Sequence, residues 1–174
     1  LIESRSSDRY LARAGNGKGP VYRATLASKM LLIAANKAAS LDAFGMGMEM
    51  EAEKPDWCDA MNGLPGRFGS SLSETIELKR WCRWLADHLL PGDSIALPVE
   101  AHDLLRGVMA EAKKRLSSGT SFAYWDRTCA LKEEYRRRTR MGISGREKAV
   151  TGSEAGAALE SFIAVCNLGI TRCL

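Results

Sequence analysis

Runs in which β-branched residues alternate with polar ones are nearly missing from this chain of 174 residues. A sandwich, a barrel of strands or a doubly wound sheet is therefore not expected. Long apolar runs are missing as well. The longest, residues 30–35, falls far short of the ~20 residues that cross a bilayer, so no membrane partner is expected. Histidine is scarce: His88 and His102 lie far apart, and neither falls in an H-E-x-x-H pattern. Each reads as a surface or hydrogen-bonded histidine rather than a metal ligand or base. The five cysteines, Cys58, Cys82, Cys129, Cys166 and Cys173, are odd in number and share no C-x-x-C spacing. That argues against a disulfide framework and a zinc site. Reduced, mostly buried thiols and a cytoplasmic location fit better. The opening residues show no charged stretch followed by an apolar core, so no signal peptide is expected. With 5 Pro, 16 Gly and 26% charged residues, the composition also excludes collagen-like, low-complexity and wholly disordered chains.

What is present is helical. Five segments carry apolar residues at helical spacing. The first is expected over Tyr22–Ala39. The second opens at Ser71-Leu72-Ser73-Glu74, a capping-box sequence, with Leu78, Trp81, Cys82, Leu85 and Leu89 inward, and stops at Pro91-Gly92. The third follows Pro98, with Leu104, Leu105, Val108, Met109, Ala112 and Leu116 inward, and closes at Ser117-Ser118-Gly119. The fourth runs over about 121–140, with Phe122, Trp125, Cys129 and Tyr135 inward. The fifth starts at a second capping box, Thr151-Gly152-Ser153-Glu154, with Leu159, Phe162, Ile163 and Cys166 inward. Trp81, Trp84 and Trp125 are expected in the packing. The reading is an all-α chain of helical hairpins, one domain over 1–174.

One stretch breaks the pattern. Residues 40–70 hold seven of the glycines and prolines, yet also Trp57, Phe68 and several methionines. Connections this long without regular structure are uncommon in compact domains, and they are usually functional or disordered. Its apolar content favours function, with Met46, Met48, Met50 and Met61 filling irregular gaps beneath it. Five carboxylates, Glu49, Glu51, Glu53, Asp56 and Asp59, fall in eleven positions around Trp57. If 48–53 is extended, the three glutamates share one face and Met48, Met50 and Ala52 the other. Acids beside an indole suit carbohydrate chemistry. The apolar face of a sugar packs on the ring, carboxylates accept from its hydroxyls, and a dry wall raises the pKa of an acid that protonates a leaving oxygen. Spacing alone favours a structural loop with exposed acids over sugar chemistry.

The segment Asp56-Trp57-Cys58-Asp59-Ala60-Met61-Asn62 resembles the Asp-Trp-Asn-Asp-x-x-Asn motif of the inverting glycoside phosphorylases of the cellobiose phosphorylase type (glycoside hydrolase family 94). Gly69-Ser70-Ser71-Leu72-Ser73-Glu74-Thr75 is similar to the helix start that follows this motif. The wider stretch 41–80, and Tyr135-Arg136 with Gly142-Ile143-Ser144-Gly145, resemble a divergent branch found in very long bacterial proteins. The resemblance implies part of an (α/α)6 barrel, with 40–70 as its active-site loop. It implies Asp59 as general acid, Trp57 in a sugar subsite, and Asp56 and Asn62 as positioning groups. Inorganic phosphate would be the nucleophile and co-substrate, an oligosaccharide the partner, and no cofactor or metal is implied. Phosphate carries its own negative charge, so one protein carboxylate suffices. Cys58 departs from the family's Asn and removes an amide pair. No stretch here matches the family's phosphate-binding segment.

Two other classes remain open at this stage. An inverting glycosidase on the same barrel needs a second carboxylate to activate water, a role open to Glu49 or Glu51. A basic helical polyanion binder would use the stretch 132–148, where seven Lys/Arg face three acids. Glu133 and Glu134, one turn before Arg137 and Arg138, favour a solvated helix face instead, and nucleic acid is not the expected partner. Gly15-Asn16-Gly17-Lys18-Gly19 lacks the phosphate-loop spacing and reads as a turn. A twelve-helix barrel requires more chain than five helices supply, so the remainder of the barrel or a homo-oligomer is expected to complete it, and the chain by itself is open to being inactive.

Overall fold

The computed structural model describes residues 8, 10–49, 69–119 and 122–174. Within them lie five α-helices and two short antiparallel sheets, so the chain is mostly helical. In order these are α1 (Leu26–Ala38), β1 (Met48–Glu49), β2 (Ser70–Ser71), α2 (Leu72–His88), β3 (Ser94–Pro98), α3 (Val99–Ser118), α4 (Phe122–Thr139), β4 (Glu147–Thr151) and α5 (Gly152–Cys173). No helix among the described residues is long and apolar enough to cross a membrane.

Helix α1 starts later than its apolar pattern predicts. Thr25 is the reason: its Oγ1 accepts the Ser28 N–H at 3.1 Å, which caps the helix at Leu26. Tyr22 is thereby left extended, its N–H donating to Ala12 O and its hydroxyl to Glu147 Oε1 at 2.7 Å. The buried face of α1 carries Leu31, Ala34, Ala35 and Ala38, none more than 1% exposed. Helix α2 runs antiparallel to it, with Lys37 against Glu74 and Met30 O against Trp81 Nε1. Only half of the predicted capping box forms here. Ser71 Oγ accepts the Glu74 N–H, while the Glu74 carboxylate turns to Lys37 at 2.7 Å.

The second box is complete. Thr151 Oγ1 accepts the Glu154 N–H at 3.2 Å, and Glu154 Oε2 accepts the Thr151 N–H at 3.0 Å. Thr151→Ala is expected to cost about 1 kcal/mol, read as a lower urea midpoint at unchanged slope. An unchanged midpoint would show that the box contributes nothing to stability.

The strands correct the purely helical expectation. β3 pairs with β4 from Ser94↔Thr151 to Pro98↔Glu147. The pleat buries Ile95, Leu97 and Val150, with Ile95 directly opposite Val150. Of the residues in these strands only Ile95, Val150 and Thr151 are β-branched, so the sequence carries little strand signal; pairing and burial decide it. Each strand leads straight into a helix, β3 into α3 and β4 into α5.

Helix α5 packs on α2 and α3, α3 packs on α4, and α1 lies against α3 and α2. Leu31, Leu105, Val108, Leu159, Phe162 and Cys166 make the centre of one core. The inward faces of α2 and α5 match the pattern. Those of α3 and α4 are partly rotated from it. Phe122 is 66% exposed and Leu116 41% exposed, while Tyr124, Thr128, Lys132 and Arg115 are buried. Polar partners explain the rotation: Tyr124 donates to Ala38 O at 3.0 Å and Thr128 to Tyr124 O at 2.9 Å. Trp84, expected in the packing, is half exposed. Cys82 and Cys166 are fully buried, and burial pushes the Cys166 thiol up to about 12 and that of Cys82 upward as well. Both are protonated packing groups. Cys58 lies outside the described residues.

Candidate functional site

The predicted active-site stretch has a structured neck. β1 and β2 form its two sides, pairing Met48 with Ser71 and Glu49 with Ser70. The chain on either side of residues 50–68 is therefore brought together at neighbouring strand positions. At the two described positions the predicted alternation holds: Met48 is buried and Glu49 is half-buried.

Asp42 ties the neck. Its Oδ1 accepts the N–H groups of Phe44 and Met46, each at 3.0 Å. Its Oδ2 accepts the Gly47 N–H at 3.0 Å and the Ser70 hydroxyl at 2.6 Å. One carboxylate thus folds the turn 42–47 and fastens it to β2, the loop-closing use of aspartate that Asx turns share. Backbone bonds complete the turn, from Asp42 N to Gly47 O at 2.8 Å and from Glu49 N to Ser40 O at 2.7 Å.

Arg115 holds the turn from below. It is 2% exposed, and its Nη2 donates to Phe44 O at 3.1 Å. Arg172 of α5 donates to the same oxygen at 2.9 Å. The Arg115 guanidinium lies over the Tyr124 ring, 5.1 Å from its centroid. Burial pulls its pKa below the ordinary arginine value, and its Nη1 has no hydrogen-bond partner among the described residues. Gly45 is required above it. Its φ of 68° is left-handed, and a Cβ there would overlap the guanidinium.

Helix α4 supplies the wall. Trp125 Nε1 donates to Glu49 Oε1 at 2.6 Å, so an indole N–H holds the outermost described carboxylate of the loop. The Phe122 ring lies 5.3 Å from Trp125 in a tilted contact. Lys132 is buried, its Nζ 3.3 Å from Ser40 Oγ, and Ser40 Oγ donates to Asn36 O. The neck therefore gathers an acid, two aromatic rings, a buried lysine and serine hydroxyls.

Of the predicted site residues, Glu49 is placed at this neck. Glu51, Asp56, Trp57, Asp59 and Asn62 lie outside the described residues, as do Met50, Cys58 and Met61. Asp42 and Arg115 were not singled out from sequence. An aspartate ahead of Gly45-Met46-Gly47 was a legible turn signal. The burial of Arg115 was not, since it sits one place from the apolar stripe of α3. Among the described residues, no group of three or more His, Cys, Asp and Glu side chains could hold a metal ion.

Three arginines of the basic stretch, all on α4, are held in ion pairs. Arg136 pairs with Glu133 at 2.9 Å, Arg137 with Glu134 at 2.7 Å, and Arg138 with Asp103 at 2.9 Å. The Gly15–Gly17 segment is an ordered turn, bonded to Ile143 O and Ser144 O. Comparison with protein-family models, with curated proteins and with solved structures finds no match to this chain.

Proposed function

We propose that the chain is part of a carbohydrate-active enzyme built on an (α/α)6 barrel, which cleaves a β-linked glucoside or oligosaccharide by inverting phosphorolysis. The Asp56-Trp57-Cys58-Asp59-Ala60-Met61-Asn62 segment, on which the resemblance to glycoside phosphorylases rests, is carried between the two strands of the tied neck. The pairing of the strands that flank this segment in the sequence is the observation that supports the reading. A catalytic loop must be held to its scaffold at both ends if its acid is to meet the scissile oxygen repeatedly. Two antiparallel helical hairpins, α1/α2 and α3/α4, are consistent with the repeating unit of such a barrel.

In this reading Asp59 in its protonated form gives its proton to the leaving oxygen. Phosphate attacks the anomeric carbon from the opposite face as that bond breaks. Trp57 stacks on the sugar, and Asp56 and Asn62 orient it. Glu49, fixed by Trp125, accepts from a sugar hydroxyl, and Glu51 is assigned the same role. An inverting glycosidase is the second reading, with Glu49, held by Trp125, as its candidate for activating water. The assay that separates them incubates the protein with a β-glucoside, with and without inorganic phosphate. A phosphate-dependent α-sugar 1-phosphate is expected. Free sugar formed equally in both reactions would assign hydrolysis, and no turnover with any β-linked oligosaccharide would remove the enzymatic reading of this chain.

A further inference from the structure

Two helices end in an arginine that reaches for the same atom. Arg115 lies in the last turn of α3 and Arg172 in the last turn of α5. Phe44 O of the 42–47 turn accepts from Arg115 Nη2 at 3.1 Å and from Arg172 Nη1 at 2.9 Å. A single neutral carbonyl thus sits between two guanidiniums. The two cations oppose each other: burial pulls the Arg115 pKa down, and the charge of Arg172 pulls it in the same direction. Among the described residues, neither arginine is bonded to a carboxylate.

Arg115 is buried and, unlike a buried lysine, keeps its proton. Its Nη1 has no hydrogen-bond partner among the described residues. Compensation around it is partial. The guanidinium lies over the Tyr124 ring. The ends of α3 and α5 contribute fractional negative charge. Asp42 acts on Arg115 through space, but its oxygens are engaged by three amides and the Ser70 hydroxyl. None of these gives Nη1 an acceptor. A buried charged donor left without one is among the costlier arrangements in a folded chain. An acceptor that carries its own negative charge relieves it.

The way in lies on the Arg172 side, where Arg172 and Phe44 are both exposed. Phe44 O marks the point at which one oxygen meets both guanidiniums. The peptide that carries this carbonyl joins Phe44 to Gly45, whose φ is 68°. Glycine accepts either sign of φ, so this peptide plane is free to turn over. Turning it withdraws the carbonyl and gives up the bond from Gly45 N–H to Asp42 O at 2.8 Å. The same N–H then points between the two arginines, where the carbonyl had been. Two guanidiniums and a backbone N–H around one point are the donors that hold an oxyanion.

We propose that Arg115, Arg172 and the Gly45 N–H bind a small tetrahedral oxyanion, inorganic phosphate or sulfate, in exchange for Phe44 O. The proposal uses none of the loop acids and stands independently of the carbohydrate reading. The test is an amide NMR titration with sodium sulfate, with sodium chloride holding the ionic strength constant. Sulfate is the probe because it supports no phosphorolysis, so turnover plays no part. Saturable shifts are expected, largest at the Gly45 amide, together with a melting temperature above that in chloride alone. Arg172→Gln should weaken sulfate binding about tenfold and leave the melting temperature in chloride unchanged. Arg172→Lys should recover part of the affinity, because it keeps the charge and loses the planar fork. Absence of a saturable shift, or equal sulfate binding by Arg172→Gln, would overturn the proposal. So would saturable binding that leaves the Gly45 amide unmoved, because the anion would then sit elsewhere.

Discussion

Asp59→Asn is expected to lower turnover of an unactivated β-glucoside by about 10²–10⁴-fold, with no change in the circular dichroism spectrum or melting temperature. An alkoxide leaving from the anomeric carbon is strongly basic, so its departure needs a proton in the transition state. A carboxylic acid supplies it; the nearly isosteric amide does not release one at neutral pH. The diagnostic is leaving-group dependence. With a dinitrophenyl glucoside the departing oxygen is already a weak base, and the defect of Asp59→Asn should shrink to a small factor. A variant equally impaired on both substrates would point to binding or loop geometry instead of proton donation. Full activity would end the assignment. Glu49→Gln supplies the contrast: it should weaken substrate binding modestly under phosphorolysis, and abolish turnover if Glu49 activates water.

Asp42→Ala is expected to destabilise the protein by about 3 kcal/mol, the upper end for hydrogen bonds to a charged acceptor. Four donors lose their partner at once: the amides of Phe44, Met46 and Gly47 and the hydroxyl of Ser70. Arg115 compounds the loss, because the turn it supports through Phe44 O is the one Asp42 folds. The variant should show a lower denaturant midpoint, with faster hydrogen exchange at those three amides ahead of any change in α5. Asp42→Asn should recover part of the loss, since its carbonyl oxygen still accepts two bonds. Unchanged exchange at Phe44, Met46 and Gly47 would show that the carboxylate does not hold the turn.

Much of the helical architecture was legible because it rests on local signals. The Thr151-to-Glu154 box and the stop at Pro91-Gly92 sit within one turn of the ends they set, and the stripe Leu159, Phe162, Cys166 fixes the buried face of α5. The errors have non-local causes. Phe122 is exposed and Tyr124 buried because a phenol on α4 meets a carbonyl at the end of α1. Arg115 is buried because a carbonyl of the 42–47 turn receives it. β3 and β4 were missed because neither is a strand without the other, and they are far apart in the chain. At the candidate site, the carboxylate alternation was visible and Glu49 obeys it. The partner that fixes Glu49, Trp125, is likewise distant and carried no sequence signal.

The ribbon of β3 and β4 also has a consequence for the order of assembly. It joins the chain just before α3 to the chain just before α5, so α3 and α4 lie inside a closed circuit. Closing a circuit becomes more costly in entropy as it lengthens, by roughly (3/2)RT ln n. The α3/α4 hairpin, whose contacts are local, shortens that circuit when it forms. Rapid local pairing of the two helices followed by ribbon closure is the inexpensive route. In the finished protein the ribbon acts as a clasp, and fraying α5 from its N-terminal end requires undoing strand pairs at the far side of two helices.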